Sequence, residues 1–236
     1  MKNKIAVIIT TIKKDVMMMK CLPSFLNKNI TIYLLDQGKI TEEKQTFYNN
    51  LINQGHHVYC INENMGISKA RNYLLDKVIE PFILLADDDV ELISNPNDIL
   101  FHFENKNIGI VGGCLFNVAK NKEHHYEYAL EINGKKLYLR KSNNIDLVLN
   151  FFVARKNLFN DIRWDNDLIM CEHTAFFLEL KKLNKWKVIY DKNLYGNHYS
   201  YEFRTKEFRT FRSINFMKGR RIFEKKYKIY HTIREQ

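Results

Sequence analysis

Apolar and polar positions in this chain follow two rhythms. Residues 4–11 (KIAVIITT) are a short β-branched apolar run that predicts a buried strand. Residues 15–26 carry apolar positions at helical spacing, with Pro23 set to bend or shorten the helix. Residues 30–35 (ITIYLL) read as a second strand closed by Asp36-Gln37-Gly38, whose glycine marks a turn. Thr41 is a candidate N-cap for a helix that runs to about residue 53 and stops at Gly55. Residues 57–61 (HVYCI) form a third expected strand. Residues 67–79 form a helix with Leu74, Leu75 and Val78 on one side. The fourth strand, residues 82–86 (FILLA), runs directly into Asp87-Asp88-Asp89.

Four strand–helix alternations in succession imply parallel strands joined by right-handed crossovers. Open sheets of this kind bind ligands outside the carboxyl ends of their strands. Asp36 and the 87–89 run both follow strands, so the pattern places them on one edge. Beyond residue 100 the rhythm loosens. Strands are expected at 108–111, 126–132, 136–139, 146–154 and 186–190, and a helix at 172–183. Asn133-Gly134 is a type I′ hairpin signal. The expected fold class is α/β, with a mixed central sheet over residues 1–200 and a basic helical tail over residues 201–236.

Composition narrows the class. The chain has 236 residues, 45% of them hydrophobic, enough for a sizeable core. Three prolines and nine glycines argue against disorder. No stretch approaches the ~20 apolar residues that span a bilayer, and no signal-peptide pattern is visible, which predicts a cytoplasmic protein. Cys21, Cys60, Cys114 and Cys171 are far apart and form no C-x-x-C pair, so reduced thiols mostly packed in the core are expected rather than structural zinc. The net charge is +10, and eleven Lys/Arg against four Glu place +7 of it in residues 201–236. Basic and aromatic residues interleave there, as in Phe203, Arg204, Phe208, Arg209, Phe211 and Arg212. Such a tail can lie on an anionic membrane surface, grip nucleic-acid phosphates, or pack its phenylalanines on the domain.

The acidic triplet is the first candidate for chemistry. At an effective dielectric of about 20, two carboxylates ~5 Å apart repel by roughly 3 kcal/mol, and a hard divalent cation removes that cost. The plainer reading is a solvated acidic turn. Asp36 can accept hydrogen bonds from a ribose or base, or simply form an Asx turn before Gly38. Asn64-Met65-Gly66 leads into a helix whose N-terminus, with Arg71, favours an anion.

Taken together, VIITT, a later strand ending in Asp36, N-x-G-x-x-x-A-R-N from Asn64 to Asn72, and apolar residues leading into D-D-D-V resemble the GT-A glycosyltransferases, family 2 in particular. Downstream, Trp164-Asp165, then Cys171-Glu172-His173 and Phe176-Phe177, look like that family's acceptor-site region. They also resemble the β-1,4-N-acetylgalactosaminyltransferase branch. His198 after Val188-Ile189-Tyr190 is similar to a histidine that ligates metal in some GT-A enzymes. The sequence departs from the usual pattern where Gln37 follows Asp36 and where Glu172-His173 replaces a Glu-Asp pair.

The resemblance implies a GT-A, Rossmann-like nucleotide-sugar-binding fold and inverting transfer from a nucleotide-sugar, a UDP-sugar foremost, to a glycan or lipid-linked glycan hydroxyl. It implies a divalent cation, Mn²⁺ or Mg²⁺, held by Asp87, Asp89 and His198. Thr10, Asp36, Asn64, Gly66, Arg71, Asp87 and Asp88 would contact the donor, and Glu172 would be the catalytic base. Each residue keeps a structural alternative: Glu172 favouring a helix N-terminus, His198 on the surface, His173 a packing neighbour. Two other functions compete. A sugar nucleotidyltransferase would open with a glycine-rich phosphate loop, and residues 6–14 contain no glycine. A nucleic-acid-binding protein would leave the triplet unexplained, since those charges repel phosphate.

Overall fold

The computed structural model describes residues 3–123, 128–132, 135–139, 145–199 and 206–227. Its first half follows the expected alternation: β1 (Ile5–Thr11), α1 (Asp15–Cys21), β2 (Ile30–Asp36), α2 (Glu42–Asn53), β3 (His57–Cys60), α3 (Ile67–Lys77) and β4 (Phe82–Ala86). Pro23 closes α1 by starting a 3-10 turn, Leu22–Phe25. The Thr41 hydroxyl accepts from the Lys44 amide at 3.3 Å and so caps α2. Then come β5 (Val90–Leu92), a 3-10 segment Pro96–Glu104, β6 (Ile108–Asn117), β7 (Lys122–Glu123), β8 (Tyr128–Ile132) and β9 (Lys135–Leu139). The described chain ends with β10 (Phe151–Arg155), α4 (Glu172–Leu183), β11 (Lys187–His198) and α5 (Lys206–Tyr227).

The main sheet has the order β3-β2-β1-β4-β10-β6-β11-β5, with β7 paired to β6. β1 through β4 are parallel, as their crossovers require. β10 is antiparallel to both of its neighbours, β6 and β11 are parallel to each other, and β5 is antiparallel to β11. The carboxyl ends of β1, β2, β4 and β11 therefore share one edge. β8 and β9 form a separate antiparallel pair, and the hairpin signal expected at Asn133-Gly134 lies outside the described residues.

Alternation along the strands divides the core between the two sheet faces. Ala6, Ile8, Tyr33, Leu35, Ile83 and Leu85 join α3, α4 and Trp164. Ile5, Val7, Ile32, Leu34 and Leu84 meet Met18, Phe25, Tyr48 and Leu51 on the other face. β6 outruns its expected length because Gly112-Gly113 continues the strand. A Cβ at Gly112 would sit 2.4 Å from the Val148 side chain, so the glycine lets that segment pack on the sheet. The expected strand at 146–154 narrows to Phe151–Arg155. Cys21 and Cys114 are buried, Cys171 is half-buried and Cys60 is exposed, and these four described cysteines form no disulfide.

α5 lies against the domain along one stripe. Phe223 is buried in the α3–α4 core, and Tyr227 packs beside it. Lys226 meets Asp165 and Asp167, each at 2.8 Å. Gly219 backs onto Met170, where a Cβ would come within 2.9 Å of backbone nitrogen and oxygen. Ile214, Met217 and Ile222 are exposed, as are Arg212, Lys218 and Arg221. In an ordinary helix, Gly→Ala stabilises by about 1 kcal/mol. Gly219→Ala is expected to lose stability instead, and Gly219→Val to lose about 1–3 kcal/mol through overpacking, read as a lower urea midpoint. Among the described residues no helix is long and apolar enough to cross a membrane.

Candidate active site

The loop after β4 turns tightly, with the Val90 amide donating to the Asp87 carbonyl at 3.2 Å. β5 then pairs with β11, which sets His198 opposite Val90. The Tyr199 amide donates to the Asp89 carbonyl at 3.0 Å. This pairing brings the His198 Nε2 to 3.3 Å from Asp89 Oδ1. The acidic triplet and the histidine thus meet through strand pairing.

Asp88 and Asp89 are almost fully enclosed, while Asp87 keeps 34% of its side chain exposed. The Lys14 ammonium lies 2.7 Å from Asp88 Oδ1 and 2.8 Å from Asp89 Oδ2. The Thr11 hydroxyl donates to Asp88 Oδ2 at 2.7 Å. Burial pushes the Asp88 carboxyl up to about 6, against the pull of Lys14. Burial also opposes ionisation of Asp89, but Lys14 and His198 outweigh it and hold that carboxyl below the ordinary range. Burial works against the Lys14 charge too, yet the two aspartates raise its pKa.

Arg71, on α3, is 1% exposed and spans two carboxylates. It donates through Nη2 to Asp87 Oδ1 and through Nη1 to Glu172 Oε1, both at 3.0 Å. Its guanidinium lies over the Trp164 ring, 5.3 Å from the centroid. Glu172 opens α4 after Cys171, whose left-handed backbone (φ 66°) redirects the chain. Burial raises the Glu172 pKa, with Arg71 opposing, which makes the carboxylate a stronger base. One guanidinium therefore joins the acidic loop to the candidate base.

His173, next along α4, shares its Nε2 with the Val148 carbonyl, and among the described residues its Nδ1 has no hydrogen-bond partner. Desolvation pushes its pKa from 6.5 down to about 4. As pH falls below 6.5, the unfolded chain takes up a proton that the folded ring refuses until about 4. Its contribution to stability is complete above 6.5 and declines by of order 1 kcal/mol per pH unit in between. Urea titrations at pH 7 and pH 5 should show a smaller acid loss in His173→Gln than in the parent chain.

The other sequence candidates lie on the same rim. Asp36 is fully buried: its Oδ1 accepts from the Gly38 amide at 2.8 Å, and its Oδ2 from Tyr48 at 2.7 Å and Lys44 at 2.5 Å. Asn64 Oδ1 accepts from the Gly66 amide at 3.1 Å. Gly66 (φ 85°) starts α3, a conformation that only glycine adopts without strain. Thr10 is half-buried near the end of β1, beside Thr11, whose hydroxyl is the one that reaches Asp88. Sequence reading missed Thr11 and Lys14. A lysine after a strand resembles a solvated charge, and the left-handed Lys13 (φ 57°) just before it carries no sequence signal.

Among the described residues no three His, Cys, Asp or Glu side chains converge as a ready-made metal cage. The donor set nevertheless fits a hard cation. Among the described residues Asp89 Oδ1 is buried without a well-aligned hydrogen bond, and it lies 3.3 Å from the His198 Nε2. Asp87, two residues earlier in the same loop, keeps 34% of its side chain exposed. Mg²⁺-like ions usually take one or two carboxylates and complete their shell with water and substrate phosphates.

Known proteins agree with this architecture. S. aureus TarS 1-349 superposes with a TM-score of 0.63 at 20% identity, covering 84% of this chain and 60% of that one. The same protein in complex with UDP-GlcNAc gives 0.61 at 19% identity, covering 90% and 65%. Mannosyltransferase PcManGT from Pyrobaculum calidifontis, in complex with GDP-Man and Mn²⁺, gives 0.64 at 10% identity, covering 99% and 66%. This chain thus spans about 60% of the TarS fragment's length. Likeness at such identity establishes the GT-A fold alone. No curated protein matches the sequence. The sequence model described as glycosyl transferase family 2 matches residues 6–185, from β1 through α4, and on that match the chain belongs to glycosyl transferase family 2.

Proposed function

We propose that this chain is a metal-dependent inverting glycosyltransferase. It moves a sugar from a nucleotide-sugar, a UDP-sugar foremost, to a hydroxyl of a cell-surface glycan such as capsule or lipo-oligosaccharide. The observation that carries this reading is the bridge from Asp87 through Arg71 to Glu172, next to Asp88, Asp89 and His198 on one sheet edge. The UDP-GlcNAc and GDP-Man complexes of the similar structures support a nucleotide-sugar donor, and the Mn²⁺ of one supports a divalent cation.

In this reading Asp87, Asp89 and His198 hold Mn²⁺ or Mg²⁺, which offsets charge on the leaving diphosphate when bound. Asp88 and the α3 N-terminus, with Asn64 and Gly66, face the donor. Thr10 and Asp36 shape the nucleoside end of the rim. Glu172 takes the proton of the acceptor hydroxyl as that oxygen attacks the anomeric carbon. Arg71, stacked over the Trp164 ring, fixes the orientation of Glu172. Residues 1–200 are the transfer domain, working in the cytoplasm. The exposed basic and apolar side of α5 suits an anionic membrane surface that carries a lipid-linked acceptor.

A panel of nucleotide-sugars with Mn²⁺, read by thermal unfolding, tests the proposal. A cognate donor at 100 times its Kd adds about 2.7 kcal/mol, a shift of several degrees. If no nucleoside diphosphate or nucleotide-sugar raises the midpoint, the reading is wrong.

A further inference from the structure

Lys14 holds a position that a bound cation would contest. Only Ile12 and Lys13 separate it from β1, and its backbone opens α1, where its carbonyl accepts from the Met18 amide at 2.9 Å. The left-handed turn at Lys13 sends the Lys14 side chain back over the sheet edge. There its ammonium sits between Asp88 and Asp89, enclosed to 18% exposure. Among the described residues, Lys14 pairs with Asp88 and Asp89, and Arg71 with Asp87 and Glu172. Arg71 is committed to Asp87 and Glu172. Lys14 is therefore a positive charge fixed on the Asp88–Asp89 pair, including the carboxylate whose other oxygen faces His198. An ammonium and a divalent cation on the same carboxylate repel at short range with little water between them.

We propose that Lys14 is a resident counter-ion of the carboxylate pair, which a divalent cation displaces from Asp89, so that cation and nucleoside diphosphate load together. This rests on the glycosyltransferase reading and deepens it. Lys14 offsets part of the pair's charge while the donor is absent. When the cation arrives, the freed ammonium remains tethered at the rim, and a diphosphate offers it a new anionic partner. Metal and nucleotide then favour each other's binding reciprocally.

Mn²⁺ binding, read from the free-ion EPR signal with and without UDP, tests the idea without relying on turnover. In the parent chain, Mn²⁺ alone should bind weakly and UDP should tighten it. Lys14→Met should raise the affinity for Mn²⁺ alone tenfold or more and shrink the tightening by UDP. Lys14→Arg, which keeps the charge, should behave like the parent. Should Lys14→Met bind Mn²⁺ no better than the parent while Asp89→Ala loses it, the counter-ion role is overturned and the cation site stands. Arginine acting like methionine would also overturn it. If neither the parent nor Lys14→Met takes up Mn²⁺ even with UDP, the cation reading fails as well. A second measurement needs no variant. Amine labelling of the parent chain, read by mass spectrometry, should be several-fold faster at Lys14 in saturating Mg²⁺ than in EDTA. An unchanged rate overturns the proposal.

Discussion

Glu172→Gln should leave UDP binding in Mn²⁺ unchanged and lower kcat for sugar transfer by about 10²–10⁴, the usual contribution of a positioned general base. The substitution keeps the size of the side chain, and the amide oxygen can still accept from Arg71 Nη1, now 3.0 Å from Glu172 Oε1. The link from Arg71 to Asp87 is untouched, so the nucleotide end of the rim should stay in place. The change also takes one of its two carboxylate partners from the buried Arg71, so the melting temperature should fall while the fold is retained. Calorimetry with UDP and single-turnover kinetics separate the two effects. Turnover within tenfold of the parent would move the base to another residue. Loss of UDP affinity would mean that Glu172 supports the donor site rather than the chemistry.

Asp89→Ala should reduce Mn²⁺-dependent UDP affinity by a hundredfold or more, about 2.7 kcal/mol. The rest of the loop has reasons to survive. Lys14 keeps Asp88 as a partner, Thr11 still donates to Asp88, and Tyr199 bonds the residue 89 carbonyl through the backbone. The fold should therefore be retained by circular dichroism, with a lower unfolding midpoint because the carboxylate that Lys14 and His198 hold ionised is lost. Equal UDP affinity in Mn²⁺ for the two proteins would refute the cation site at Asp89.

The first four strands and three helices were legible because their apolar periods are clean and their punctuation is explicit: Pro23, Thr41, Gly55 and Gly66 each sit where an element starts or stops. The triplet at the end of β4 was legible for the same reason. β11 was expected to end at residue 190. The polar Asp191-Lys192-Asn193 stretch interrupts the pattern, and the register shifts between Tyr190 and Tyr195 before pairing resumes. β5 is three residues long and directly follows acidic residues, too short for any period to show. Yet the pairing of β5 with this second half of β11 is what sets His198 against Asp89. Lys14 was not legible at all, because its inward course depends on the backbone at Lys13. Asp36 was read as a residue at a strand end, but nothing local showed that Lys44 and Tyr48, from α2, would close over it.

The β5–β11 ladder also dictates when the rim is completed during synthesis. Lys14, Asp88 and Asp89 are all translated before residue 90, and β1, β2 and β4 can associate as soon as they emerge. His198 comes 109 residues after Asp89, and its strand pairs across that whole interval. Contacts of such high order form slowly. A ribosome-bound chain would thus pass through an interval with half the pocket built and the imidazole still missing, exposing the sheet edge to chaperones and to nascent neighbours.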